Sequence, residues 1–194
     1  MTKGVIRTKR TLLKPMSIED AADLFAYRSL EEVYNYQSWF PKNISEAEEF
    51  IRKYSSDDMI RDQWKQFGIY SVDERKLIGD CGYCFQSDSQ TEIGYTIAPL
   101  HQRKGFGAEA VSALITFIFD ETSSDTLIAK TDPMNLASIT LLERLGFNQT
   151  AYMKRSILIR GEWKDDRVFA MYRETWRNRS CSNKSPKGNP CVLL

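Results

Sequence analysis

The stretch 99-PLHQRKGFGAEAVSALITFIF-119 decides how this chain is read. Its centre, 105-GFGAEA-110, has the form G-x-G-x-x-A and opens an apolar helical run. Gly105 and Gly107 let the backbone approach an anion closely, and amides at a helix N-terminus then point at it with the helix dipole behind them. Arg103 and Lys104 add positive charge at the mouth. The stretch therefore reads as a phosphate cradle, and the question is which pyrophosphate it holds.

A dinucleotide loop needs its first glycine directly after a strand, a helix starting at the glycines, and an acid at the end of the next strand. Only the helix condition is met. PLHQRK separates Gly105 from the preceding strand, and Asp125 stands before the next one, 126-TLIAKT-131.

Working outward, the runs 64-WKQFGIYSV-72, 76-KLIGDCGYCF-85 and 91-TEIGYTIA-98 are β-rich and joined by short polar turns, which predicts an antiparallel meander. Ala110, Val111, Leu114, Ile115, Ile118 and Phe119 form one wide stripe on a helix predicted over 108–121. A helix over 135–146 closes on Gly146, and strands are predicted over 148–159 and 166–175 around a turn-rich 160–166. Upstream come a strand over 9–16, a helix over 18–28 behind Ser17 and Asp20, a helical stretch over 30–39 closed by Pro41, and a helix over 46–54 capped by Ser45.

The chain has 194 residues, enough for one domain with a sizeable core. Its 27 basic residues against 26 acidic ones leave no global field to grip nucleic acid. The basic start has no apolar run behind it, and no run approaches the ~20 residues of a membrane span, so a cytoplasmic location is expected. The pair in 81-CGYC-84 lies on a predicted strand, where residues three apart point to opposite faces, and reads as two ordinary cysteines. With one histidine and no second ligand pair, no metal site is expected. Residues 177–194 are polar and basic and read as a disordered tail.

Three segments in series carry a resemblance. The run Q-R-K-G-F-G-A resembles the acetyl-CoA loop of the GNAT N-acetyltransferase superfamily. The segment 92-EIGYTIAPLHQRKGFGAEAV-111 is similar to the signature of its ribosomal-protein N-terminal acetyltransferase branch (RimJ/RimL type). So are 135-NLASITLLERLGF-147 and 161-GEWKDDRVFAMYRETW-176. One departure is Gln102-Arg103, where many members of the branch have Trp-Gly.

The resemblance covers residues 8–176. It implies a single mixed α/β N-acetyltransferase domain with the GNAT fold: a central, mostly antiparallel, twisted sheet of six or seven strands, splayed in the middle and flanked by about four helices. It also implies direct acetyl transfer from acetyl-CoA to a primary amine. In that reading the N–H near Ile97 faces the thioester carbonyl. The loop of Gln102, Arg103, Lys104, Gly105, Phe106, Gly107 and Ala108 takes the pyrophosphate. Asn135 holds the pantetheine arm and Ser138 protonates the CoA sulfur. Tyr152 is a second candidate acid, and Glu92 a candidate relay for the amine proton. Tyr34, Tyr36, Trp39 and Phe40 are candidates for the acceptor wall, whereas His101 reads as a surface residue.

The acceptor is a peptide N-terminus or a small amine. An α-amine with a pKa of ~7.7–8.0 is about 10% neutral at pH 7 and a lysine-like amine about 0.04%, so without a dedicated base the α-amine is the easier nucleophile. The alternative is a non-catalytic acyl-CoA-binding module on the same fold. A monomer or homodimer is expected. The terminal 191-CVLL-194 fits a C-a-a-X prenylation box behind the basic stretch 184–187, and membrane attachment is expected only if that box is used.

Overall fold

The computed structural model describes residues 4–55 and 63–184, with side chains through Arg179. One sheet of eight strands runs through the molecule in the order β1-β2-β3-β4-β5-β6-β8-β7. The strands are β1 Ile6–Arg7, β2 Thr11–Lys14, β3 Lys65–Ser71, β4 Leu77–Phe85, β5 Gln90–Ile97, β6 Thr126–Thr131, β7 Asn148–Ile159 and β8 Glu162–Tyr172. Among the described residues six helices flank it: α1 Ala21–Arg28, α2 Glu31–Tyr34, α3 Ile44–Tyr54, α4 Phe106–Glu121, α5 Leu136–Leu145 and α6 Arg173–Lys184. Neighbouring strands pair antiparallel except β5 and β6, which are parallel.

The predicted meander is β3–β4–β5. Strand β4 is buried along almost its whole length because helices cover both faces of the sheet. On one face the α4 stripe is fully buried against Phe67, Ile93, Leu127 and Phe169, with α5 beside it. Fully burying each such side chain contributes about 1.5–3 kcal/mol. On the other face Leu24 and Tyr27 of α1 pack with Ala47 and Ile51 of α3 on Tyr70 and Leu77. Gly146 caps α5 in the left-handed conformation, φ 93°, as its position after the last apolar residue predicts.

Several boundaries differ from the sequence reading, and the sheet and helix counts exceed it by small elements. The strand expected over 9–16 is confined to β2, and the two-residue β1 lies before it. The stretch 30–39 is helical only over α2. Helix α3 is capped by Asn43, whose side chain accepts from the Glu46 N–H, rather than by Ser45. Helix α4 begins at Phe106, directly on the glycine loop. The turn-rich 160–166 is a tight turn at Arg160 and Gly161, both at positive φ, and β8 starts at Glu162. The polar stretch from 177 is helical through Lys184, held by Arg173, which reaches the carbonyls of Phe119, Thr122 and Ser124. Residues 185–194, including the C-terminal CVLL, lie outside the described residues.

Candidate active site

The site grows from one irregularity in the sheet. Strands β5 and β6 pair only over Gln90↔Thr126, Thr91↔Leu127 and Glu92↔Ile128. Beyond that, β5 stays on β4 through Ile97 and β6 stays on β8 through Thr131, so the two part. Ala98 N–H donates to Ile78 O at 2.9 Å, which fixes the ladder phase. Hydrogen-bonded pairs alternate along an antiparallel ladder, so the N–H and C=O groups of Tyr95 and Ile97 turn toward the opening. The Ile97 carbonyl accepts from Gln102 Nε2 at 2.9 Å.

Two clefts meet at this gap, one on each face. A cavity of about 670 Å³ on the α4–α5 face and one of about 810 Å³ on the α1–α3 face share Tyr36, Gln37 and Ile93 as well as Gly94, Tyr95, Lys130 and Thr131. The smaller is floored by the glycine loop. After a single 3-10 turn at Pro99–His101, Arg103 and Gly105 take left-handed conformations, φ 58° and 85°, and aim the start of α4 at the cavity. The first intrahelical bond of α4 is Glu109 N–H to Gly105 O, so the amides of residues 106–108 form its open N-terminus. A Cβ on Gly107 would lie 3.3 Å from both Ile97 and Leu141, so this turn packs tightly under the gap.

Of the residues singled out for this cleft, Ile97, Gln102, Arg103, Gly105, Gly107, Ala108, Asn135 and Ser138 line it. Lys104 and Phe106 do not. The Phe106 ring turns to the Arg10 guanidinium, 4.8 Å away, and the Lys104 carbonyl accepts from Arg10 Nη1. Asn135 caps α5, its Oδ1 accepting from Ser138 N–H at 3.1 Å. Ser138 Oγ sits 3.0 Å from the Tyr95 phenol. Burial pushes the Tyr95 hydroxyl up to about 12, against the opposing pull of its Ser138 hydrogen bond.

Glu92 lines the other cleft and forms an ion pair with Lys130 at 2.9 Å. Tyr152 lines neither cleft: it is half-exposed and donates to Asp165 Oδ2 at 2.7 Å. Of the four aromatics, Tyr36 and Trp39 line the α1–α3 cleft, whereas Tyr34 and Phe40 stack on one another at 4.6 Å. His101 is not the free surface residue expected. Its side chain is only 15% exposed and faces Glu74 at 3.2 Å and the edge of Phe106.

Sequence reasoning missed three contributors. Tyr95, to which the sequence assigns no role of its own, is the partner of Ser138. Arg144, in the last turn of α5, lines the loop cleft. Arg10 and Thr8 hold Glu109, at 2.6–2.7 Å, and so fix the first turn of α4 to the β1–β2 hairpin. Only the last had a local signal, a carboxylate in a helix first turn, and nothing in sequence names its distant partner.

Cys81 and Cys84 are both buried and share no disulfide, and burial pushes the Cys81 thiol well up, away from the thiolate form. No group of three metal-ligating side chains occurs among the described residues, and no helix among them is long and apolar enough to cross a membrane.

Comparison with known proteins bears on the family and the fold. The Acetyltransferase (GNAT) domain family matches residues 10–148. The uncharacterized N-acetyltransferase p20 of Bacillus licheniformis is 31% identical over 172 residues, spanning 87% of this chain and 96% of that protein. The [ribosomal protein uS5]-alanine N-acetyltransferase of Escherichia coli (strain K12) is 32% identical over 113 residues, 57% of this chain and 58% of that protein. A GNAT-family acetyltransferase structure from Bacillus anthracis shares the fold with a TM-score of 0.79 at 24% identity, over 88% of this chain and 99% of that one.

Proposed function

We propose that this chain, which belongs to the GNAT acetyltransferase family, takes an N-terminal α-amine or a similarly weakly basic primary amine through the α1–α3 cleft. It is an acetyl-CoA-dependent N-acetyltransferase. The observation that carries the reading of the acceptor path is the junction of the two clefts at the β5–β6 gap, which gives donor and acceptor separate entrances to one point.

The residues of the loop cleft fit acetyl-CoA. Amides of an open helix N-terminus suit a pyrophosphate, Arg103 and Arg144 supply charge, and a side chain at Gly107 would crowd Ile97 and Leu141. The neutral amine attacks the thioester carbonyl, a C–N bond forms and the C–S bond breaks. The Ile97 N–H, turned into the gap, faces the oxyanion that develops. Ser138 Oγ–H gives its proton to the departing sulfur, with the Tyr95 phenol behind it. Glu92, at the amine-side cleft and paired to Lys130, is placed to relay the proton the amine loses. Tyr152 takes no part, because its hydroxyl is held at Asp165.

The test is a screen for thiol release from acetyl-CoA with N-terminal peptides, polyamines, amino acids and aminoglycosides, run beside calorimetry with acetyl-CoA. Amine-dependent release that is fastest with weakly basic amines is expected. Absence of acetyl-CoA binding at high micromolar concentration, or a uniform preference for lysine-like amines, would overturn the reading.

A further inference from the structure

None of these steps uses Gln66. It stands on β3 and is 8% exposed, and its Oε1 is buried with no hydrogen-bond partner among the described residues. Such an orphan oxygen costs the free protein stability, so its retention calls for a reason. Its setting supplies one. Gln66 pairs across β3–β4 with Gly82, and Gly82 pairs across β4–β5 with Gly94. The three stand in line on the α1–α3 face, and two of them have no side chain.

A Cβ on Gly82 would fall 2.5 Å from Gln66 Oε1, so the amide lies over β4. A Cβ on Gly94 would meet the Trp64 indole at 3.4 Å, so that ring lies over β5. Gln66 and Trp64 thus cover a glycine floor in the amine-side cleft, with Trp39, Phe50 and Tyr54 around them. An acceptor oxygen among aromatic rings is shielded from water, where a hydrogen bond counts for more.

We propose that Gln66 Oε1 is the specificity acceptor of this cleft, taking a hydrogen bond from a backbone N–H of a peptide acceptor one or two residues in from the reacting amine. This rests on the reading that the α1–α3 cleft admits the acceptor. The spacing follows from the sheet. The amide over β4 is about one strand separation, ~4.8 Å, from Gly94 at the gap, and an extended chain advances ~3.3 Å per residue. The volume, about 810 Å³, suits several residues rather than a simple monoamine. The groups covering the floor are side chains, so a rotation of the Gln66 amide brings the oxygen to an arriving N–H.

The test compares trialanine, trialanine N-methylated at its second and third residues, and butylamine as acceptors, with saturating acetyl-CoA, for the unaltered enzyme and Gln66→Leu. Methylation is expected to lower kcat/KM of the unaltered enzyme about tenfold, the size of one hydrogen bond. Gln66→Leu should show the same loss on trialanine and none further on methylation, with butylamine and the KM for acetyl-CoA unchanged. Its Tm should hold or rise, because the orphan oxygen is gone.

Independent, multiplying losses would overturn the proposal, as would an equal loss on butylamine or a Tm lowered by several degrees. Transfer to butylamine as fast as to trialanine would also overturn it while leaving amine acetylation intact. No transfer to any of the three would remove the acceptor reading on which it rests.

Discussion

The phenol oxygen of Tyr95 lies 3.0 Å from Ser138 Oγ and 3.3 Å from the Ser138 carbonyl, joining strand β5 to helix α5 beside the glycine-loop cleft. The contact fixes where the serine hydroxyl sits, and burial keeps the phenol neutral by pushing it to about 12. Ser138→Ala should therefore lower kcat about 100-fold with little change in the KM for acetyl-CoA. Tyr95→Phe, acting only through the serine, should lower it about 3- to 10-fold. Steady-state thiol release checks both. The pH profile should climb as the amine acceptor deprotonates, without a falling limb from Tyr95 below about pH 12.

On the proposed reading of the glycine loop, Gly105 sets cofactor affinity through backbone as well as space. Its φ of 85° is a left-handed conformation that costs a side-chain-bearing residue about 1–2 kcal/mol, and a Cβ there would lie 3.1 Å from Arg10 Nη2. Gly105→Ala should weaken acetyl-CoA modestly, about threefold to tenfold. Gly105→Asp also brings a negative charge to the mouth of the cradle and should weaken binding by more than about 100-fold. Calorimetry reads the affinities, and thermal unfolding shows that both variants stay folded.

How much of this was legible depends on how local each signal is. The α4 stripe and the β3–β4–β5 meander are periodic within one element, and the structure buries both as read. The cap of α3 was misplaced because Asn43 and Ser45 both suit an N-cap, and only the backbone at Asn43 is extended where a cap needs it. Tyr152 is a candidate acid by the family resemblance, but the register of β7 on β8 hands its hydroxyl to Asp165. Tyr95, Arg10 and Gln66 escaped for one reason: each acts through a partner or a gap supplied by a different strand or helix.

Asp80 and Arg28 are a long-range pair of the same kind. Asp80, on β4 and 1% exposed, accepts from Arg28 Nε at 3.1 Å and from Tyr27 Oη at 2.6 Å, pinning α1 to the sheet. Asp80→Ala leaves a buried guanidinium unpaired and should cost about 3–5 kcal/mol. Urea unfolding should show a lower midpoint at unchanged slope. Arg28 also lines the α1–α3 cleft beside Trp39 and Phe50, so on the proposed acceptor path the KM for the amine should rise while that for acetyl-CoA holds.

Glu109 makes the attachment of α4 pH-dependent. Burial alone would raise its pKa, but hydrogen bonds from Thr8, from the Arg10 N–H and from the Arg10 guanidinium together hold the carboxyl below the usual range. A folded pKa below the unfolded one, ~4.3, means the charged form is favoured by folding. That stability is fully present above about pH 5 and is lost as pH falls through the depressed folded value. Glu109→Gln should be less stable than the unaltered protein by about 2 kcal/mol at pH 7. The gap should narrow as pH falls below about 5, because protonation removes the same charge from Glu109. Denaturant midpoints at pH 7, 5 and 4 check the sign, and a gap that stays constant over that range would assign the stabilisation to packing of the side chain instead.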